Sequence, residues 1–222
     1  MSTQVRNSWR VRAITAGLVT IVLGTTAPAR AGVPSDQLRL QVDRVVSVLD
    51  DTELRKSARA AERRAAIRRI ANETFDLTET SQRALGPHWQ ARTPAERDEF
   101  TGLFADLLER SYIGKIELYN GEKVTYLGDT VEGDFATVRT KLITKQGTEV
   151  PIVYRMLRRG DRWLVYDVSI EGVSLVANYR AQFNKIIQTA GYASLVQRLR
   201  EKQIEGVQAD AAPAKVTTSE RR

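Results

Sequence analysis

The stretch YDVSIEGVSLVANYRAQF, residues 166–183, contains a change of local structure. Its first residues alternate as a strand does, and Glu171-Gly172 interrupts them with a turn signal. From Val173 onward the apolar residues recur at helical spacing. Neither half carries a catalytic motif, although many positions are apolar. The stretch therefore predicts a last strand that turns sharply into a helix.

Three upstream runs also have a period of two: EKVTYLGD, DFATVRTKLIT and EVPIVYRMLRR. Glycine-containing turns separate them from one another and from RWLVYDVSIEG, residues 162–172. The pattern predicts a four-stranded antiparallel meander. Strict alternation assigns these apolar residues to one face: Val138, Leu142, Ile152, Tyr154, Met156, Leu164, Tyr166, Val168 and Ile170.

Helical patterns flank the strands. We expect one helix near residues 35–50, a second from about Thr52 to Ala71 and a short one before Gly86-Pro87. Thr93, Pro94 and Glu96 form a capping box that starts a longer helix ending near Gly114. Two closing helices follow Gly172, and Gly191 separates them. The predicted class is α+β, with helices and a curved NTF2-like sheet enclosing an apolar pocket. A filled core would give the same pattern, so both interpretations stay open.

The first 31 residues resemble a secretory signal peptide. Arg6, Arg10 and Arg12 precede a short apolar run, and Ala29 and Ala31 suit a cleavage site. We therefore expect an exported protein with a folded domain at residues 32–206 and a disordered tail at 207–222. Removing the four arginines of the signal segment leaves 30 basic and 27 acidic residues, a net charge of +3 instead of +7. Such a small charge on an exported protein argues against nucleic acid as a partner.

The residue inventory points away from catalysis. The chain has no cysteine and one histidine, His88, and it lacks the phosphate-binding, dinucleotide-binding and metal-binding motifs. Asp167 and Glu171 are the carboxylates nearest the predicted pocket. Alternation turns Asp167 away from that pocket, and Glu171 is better placed to cap the turn. We predict no enzyme activity, no cofactor and no metal.

A basic segment, residues 55–69, surrounds a thin stripe that is mostly alanine. This composition favours a solvated face over a membrane-inserting helix. The segment could still contact a membrane surface or an acidic partner.

Residues 163–202, WLVYDVSIEGVSLVANYRAQFNKIIQTAGYASLVQRLREK, resemble the C-terminal signature of the MlaC or toluene-tolerance family. The shared features are the W-x-x-Y-D strand, the E-G-V-S corner and the closing G-Y-x-x-L-x-x-x-L-R helix. TFDLTETSQRALGPHW, residues 74–89, and residues 92–112 are similar to the central segment of that family. The resemblance covers roughly residues 35–205.

This resemblance implies a soluble periplasmic carrier that holds phospholipid acyl chains in an apolar pocket. It also implies exchange with an inner-membrane ABC lipid transporter complex and an outer-membrane lipoprotein complex, with transient membrane contact. The lipid-binding residues implied by the pattern are Phe75, Phe104, Leu108, Tyr112, Ile152, Tyr154, Tyr166, Val168, Val173 and Leu175. Two alternatives remain: a hopanoid-associated lipid-binding protein, and a periplasmic adaptor without a ligand.

Overall fold

The computed structural model describes residues 33–205. The predicted signal peptide at 1–31 and the predicted tail at 207–222 lie outside these residues. The described helices are α1 (Val33–Asp50), α2 (Ala60–Thr74), α3 (Leu77–Leu85), α4 (Pro94–Ile116) and α5 (Leu175–Arg200). The strands are β1 (Lys123–Glu132), β2 (Phe135–Ile143), β3 (Glu149–Arg159), β4 (Arg162–Ile170) and β5 (Val173–Ser174). Short 3₁₀ turns precede α2 and follow α3.

The five strands form one antiparallel sheet in the order β1-β2-β3-β4-β5. The predicted α+β class is confirmed, and the sheet has one short strand more than expected. That strand, β5, pairs Ser174 with Ser169 and Val173 with Ile170. The corner after Gly172 therefore extends the sheet before it becomes a helix.

Two β-bulges change which side chains share a face. In β4, Val165 pairs with Met156 and Asp167 pairs with Arg155, so Tyr166 is the extra residue. A second register shift lies between Tyr126 and Gly128 in β1. A bulge places two residues opposite one, which reverses the alternation beyond it. The prediction that Leu164 and Tyr166 share a face with Val168 is therefore wrong, and Trp163 and Val165 lie on that face instead.

The helix boundaries follow local capping chemistry. The Thr93–Glu96 capping box is confirmed, because each side chain accepts a hydrogen bond from the other residue's backbone N–H. The second helix begins at Ala60 and not at Thr52. Asp51 explains this, since its carboxylate accepts from the N–H groups of Glu53 and Leu54 and so favours a local turn. Gly191 interrupts α5 with φ 81° and ψ 166°, as its position predicted.

The described apolar core falls into three groups. The helical cluster joins α3, α4 and α5 through residues including Phe100, Phe104, Tyr179 and Phe183. The sheet cluster joins α1 to the inner face of the sheet and comprises Leu38, Ala136, Val138, Met156, Trp163 and Val165. The α2 cluster contains Leu49, Ile67 and Ile113. Domains of this size usually have one contiguous core with smaller satellites, whereas the described core is divided between the helical cluster and the sheet cluster.

Candidate functional site

The corner between β4 and α5 ties the helical cluster to the sheet. Asp167 is 4% exposed. Its carboxylate accepts hydrogen bonds from Ser174 Oγ at 2.7 Å and from the Val176 N–H at 3.1 Å. Ser174 Oγ in turn accepts from the Ala177 N–H at 3.0 Å, which makes it the N-cap of α5. The negative carboxylate also lies at the end of the helix where the backbone dipole is positive.

The turn at this corner has left-handed backbone at both central residues. Glu171 has φ 51° and Gly172 has φ 84°. Two such residues between antiparallel strands form a tight hairpin, which favours asparagine and glycine. Gly172 meets this requirement without strain, whereas Glu171 does not. The expectation that Gly172 permits the turn agrees with this geometry.

Three of the predicted lipid-binding residues lie on the helical side. Phe104 is buried in the helical cluster, where it packs edge-on against Tyr179 and Phe183. Leu108 and Tyr112, one and two turns further along α4, are only partly buried against the same cluster. Phe104 is therefore fixed in a filled core, and Leu108 and Tyr112 lie at its margin.

Three others lie on the sheet side. Phe75, Tyr154 and Val168 are partly buried against the sheet cluster. Phe75 reaches it by forming an isolated parallel bridge with Val165. Ile152, which pairs with Ile170 on the inner face, and Leu175, the first residue of α5, are also partly buried.

The remaining two residues are placed differently. Tyr166 is buried away from the sheet cluster, with its ring 6.3 Å from that of Phe135 and the Arg83 guanidinium 4.1 Å above it. Val173, on the edge strand β5, is 46% exposed. The structure thus brings most of the predicted residues to the margins of the two clusters, but it places Tyr166 on the opposite face of the sheet.

Tyrosine hydroxyl groups lie within these margins. Burial raises the pKa of Tyr154 to about 12. Burial also raises the pKa of Tyr112, and its interaction with Tyr179 adds to the shift. Both side chains are therefore neutral at any physiological pH and can donate hydrogen bonds.

A cavity of about 180 Å³ lies where α1 and α2 meet the sheet. Leu38, Met156 and Trp163 contribute to its wall, together with Glu73 and Arg162. None of the ten predicted residues lines it. Its volume is below the roughly 300–1,000 Å³ of typical ligand pockets, so we do not assign the lipid site there.

The arginines of the basic segment are largely engaged within the protein. Arg63 donates to Glu117 Oε1 at 2.7 Å and to the Leu54 carbonyl oxygen at 2.7 Å. Arg64 donates to the other oxygen of Glu117 at 3.0 Å, and Arg68 pairs with Glu109. Burial acts to raise the pKa of Glu117, but these two arginines outweigh it and hold the pKa below its usual range. These ion pairs therefore connect α2 to α4 and to Glu117, the residue that follows α4.

The remaining polar residues show no catalytic arrangement in the part of the chain that the structure describes. His88 Nε2 lies 2.9 Å from Asn184 Oδ1, so the one histidine of the chain links the 3₁₀ turn after α3 to α5. Residues 33–205 contain no group of three or more histidine, aspartate or glutamate side chains that could hold a metal ion. Within the same range, no helix is both long and apolar enough to cross a bilayer.

Comparisons with known proteins agree with this geometry. The model of the MlaC protein family matches residues 40–201, which is most of the chain. The chain belongs to the MlaC family. Among solved structures, this MlaC-family chain is similar to a phospholipid-binding protein from Ralstonia solanacearum, determined in complex with a phospholipid. The TM-score is 0.67 at 26% sequence identity, over 76% of this chain and 96% of that one.

A curated relative supports the same assignment. It is the intermembrane phospholipid transport system binding protein MlaC of Haemophilus influenzae, 23% identical over 131 residues. The match covers 57% of this chain and 61% of the relative, so it spans less than two thirds of that protein.

Two contributions to the site were not predicted from the sequence. The Asp167 carboxylate accepts hydrogen bonds from Ser174 and Val176 at the start of α5, and the tight turn at Glu171-Gly172 brings these residues together. Tyr126 of β1 joins the sheet cluster beside Tyr154 and Val168. Gly128, an isolated glycine inside the β1 pattern, was a usable signal for the bulge that follows Tyr126.

Proposed function

We propose that this protein binds a phospholipid and carries it between membranes in the periplasm. The observation that carries the proposal is the division of the apolar interior into a helical cluster and a sheet cluster, in a chain of the MlaC family. The margins of these clusters hold partly buried apolar side chains, which an acyl chain could cover. Leu108 and Tyr112 would contact the acyl chains from one side, and Ile152, Tyr154 and Val168 from the other.

The energetics favour such a carrier. Each acyl methylene exposed to water costs about 0.8 kcal/mol, so a free phospholipid does not cross an aqueous space at a useful rate. The helical cluster and the sheet cluster would form two walls of the site, and no reaction is needed to admit acyl chains between them. Asp167 and Ser174 hold the corner between β4 and α5, while Phe75 and Leu175 would lie near the ends of the site.

The proposal includes the partners implied by the family. These are an inner-membrane ABC lipid transporter complex, an outer-membrane lipoprotein complex and a transient contact with a membrane surface. Three arginines of α2 are poor candidates for that membrane contact, because Arg63, Arg64 and Arg68 already pair with glutamates.

The direct test is lipid analysis of the natively purified protein. The full-length chain is expressed in a Gram-negative host, purified from the periplasmic fraction without denaturation, and extracted for mass spectrometry. We expect phospholipid in stoichiometric amounts. A hopanoid in its place would assign the alternative ligand. Protein that is lipid-free, and that also fails to take up fluorescent phospholipid from vesicles, would leave the adaptor function as the explanation.

Carrier activity needs a second measurement. Transfer of a fluorescent phospholipid from donor to acceptor vesicles should rise in proportion to protein concentration. If the protein binds lipid but does not accelerate transfer, it stores or presents the lipid and does not shuttle it.

A further inference from the structure

Tyr126 has a buried hydroxyl group with no hydrogen-bond partner among residues 33–205. Its ring packs against the sheet cluster, as do Tyr154 and Val168. Burial raises the pKa of Tyr126, and the neighbouring Tyr154 adds to this shift. Buried polar groups nearly always have a partner, because the hydrogen bonds to water lost on burial must be replaced. A phenylalanine would fill the same space without this penalty.

The hydroxyl groups beside Tyr126 are satisfied. Thr140 lies directly opposite Tyr126 in the sheet and is almost fully buried. Its Oγ1 donates to the Ile152 carbonyl oxygen at 3.3 Å, and Tyr154 forms a hydrogen bond with Thr140. The three hydroxyl groups thus lie on the inner face of the neighbouring strands β1, β2 and β3. Only the hydroxyl group of Tyr126 is still able to donate a hydrogen bond to a partner outside these residues.

The ring of Tyr126 is held from the solvent side. The guanidinium of Arg39, on α1, lies 4.5 Å from the centroid of this ring. A cation over an aromatic face is attracted by the negative charge of the π system. Together with the packing on the inner side, this contact fixes the ring and so limits where the hydroxyl group can point.

The chemistry of the hydroxyl group restricts what it can bind. A neutral phenol is a better hydrogen-bond donor than acceptor, so its preferred partner is an acceptor oxygen. A phospholipid has acceptors in its phosphate and in its two ester carbonyls, and it has none along its acyl chains. A charged phosphate is costly to bring out of water beside Val168 and Tyr154. An ester carbonyl is uncharged and lies where the acyl chains join the glycerol.

We propose that the Tyr126 hydroxyl group donates a hydrogen bond to an ester carbonyl oxygen of the bound lipid. The contact would set how deeply the acyl chains enter and would favour ester-linked over ether-linked lipids. This inference rests on the proposed lipid-binding function, and Tyr126 acts in it as a specificity-determining residue.

The test compares two phospholipids with the same headgroup and chain length, one with diacyl and one with dialkyl linkages. Wild-type protein and Tyr126→Phe are titrated with each lipid. Tyr119→Phe is the matched control, because Tyr119 packs against the α2 cluster. We expect the wild type and the control to bind the diacyl lipid roughly two- to tenfold more tightly than the dialkyl lipid, the range of one neutral hydrogen bond. Tyr126→Phe should lose this preference.

The outcomes separate this inference from the function on which it rests. If wild type binds both lipids and Tyr126→Phe keeps the wild-type preference, the assignment of Tyr126 fails alone. If wild type binds neither lipid, both proposals fail. Urea unfolding of the lipid-free proteins adds an independent check. Its midpoint should not fall in Tyr126→Phe, and a clear fall would mean that the hydroxyl group already has a partner within the protein.

Discussion

The Asp167 carboxylate accepts a 2.7 Å hydrogen bond from Ser174 Oγ across the turn that joins β4 to α5. The same carboxylate accepts from the Val176 N–H, and Ser174 accepts from the Ala177 N–H. Two side chains therefore satisfy the first turn of α5 and hold it against the sheet. A carboxylate near an apolar site would often suggest catalysis, but here its bonds are used to position a helix.

Replacing Asp167 should destabilise the fold at this corner. In Asp167→Ala the Val176 N–H and the Ser174 hydroxyl both lose a buried acceptor, so we expect the free energy of unfolding to fall by about 1–3 kcal/mol. Ser174→Ala should cost about 1 kcal/mol, as is typical for loss of an N-cap. Urea unfolding of both single variants and the double variant measures the coupling. If the two effects simply add, the side chains do not act as one unit.

Substitutions in the turn at Glu171-Gly172 should change the free energy of unfolding according to how readily each new residue adopts a positive φ. Glu171→Asn should raise the free energy of unfolding by roughly 0.4–1 kcal/mol, because asparagine adopts a positive φ more readily than glutamate. Gly172→Ala should lower it by about 1–2 kcal/mol, because the added Cβ would meet no neighbouring atom but the positive φ would be strained. Changes of the same sign and size in the free energy of unfolding of the two variants would contradict the assigned turn.

Glu117 should matter more through Arg63 than through Arg64. The side chain of Arg63 is 15% exposed and that of Arg64 is 58% exposed, although both bind the same carboxylate. Arg63→Ala leaves a largely buried carboxylate short of its main partner, so we expect a loss of about 1–3 kcal/mol. Arg64→Ala should cost under about 1 kcal/mol, as exposed ion pairs do. Urea denaturation compares them, and a larger effect at Arg64 would disprove this ranking.

The lowered pKa of Glu117 predicts that the protein loses stability in acidic solution. The folded pKa of this carboxyl group lies below the unfolded value, so its contribution to stability is complete above the usual glutamate pKa of 4.5. The contribution is lost as the pH falls through the folded pKa. Glu117→Gln should therefore reduce the difference in unfolding free energy between neutral and acidic solution. An unchanged pH dependence would show that other groups dominate acid unfolding.

In alkaline solution, tyrosines with a raised pKa should reduce the stability of the fold. The folded pKa of Tyr154, about 12, is higher than the usual tyrosine value of 10.0. Between these two values the unfolded chain releases a proton that the folded chain keeps, so stability falls as the pH rises. We expect Tyr154 alone to account for about 2–3 kcal/mol of this loss. Tyrosinate absorbance and urea unfolding, both measured against pH, test this prediction. The Tyr154→Phe variant should lose less stability than wild type over this range.

A bulky residue at the margin of the sheet cluster should exclude lipid. Val168→Trp adds volume where we propose that acyl chains lie, so bound phospholipid should fall to under roughly a tenth of wild type in native extracts. Leu127→Trp is the control, because Leu127 is an exposed residue of β1. Circular dichroism of both variants verifies folding. Wild-type lipid content in a folded Val168→Trp protein would place the lipid elsewhere.

The sequence determined much of this protein because its signals are local. Strand alternation, glycine-containing turns and the capping box at Thr93 depend on residues a few positions apart, and they specified the α+β class and most element types. The corner at residues 166–183 also carried the family resemblance. The α2 helix begins eight residues later than its pattern predicts, because Asp51 favours a turn over a helix.

The tertiary structure decided which side chains meet. The bulge at Tyr166 arises from pairing with β3, and a period-two pattern contains no mark of it. It moved Tyr166 to the face of Arg83 and brought Trp163 and Val165 to the face of α1. The separation of the helical cluster from the sheet cluster, and the unpaired hydroxyl group of Tyr126 between α1 and β2, likewise depend on how distant elements pack. Local sequence sets each element, but only packing between elements decides where the core is filled and where it can open.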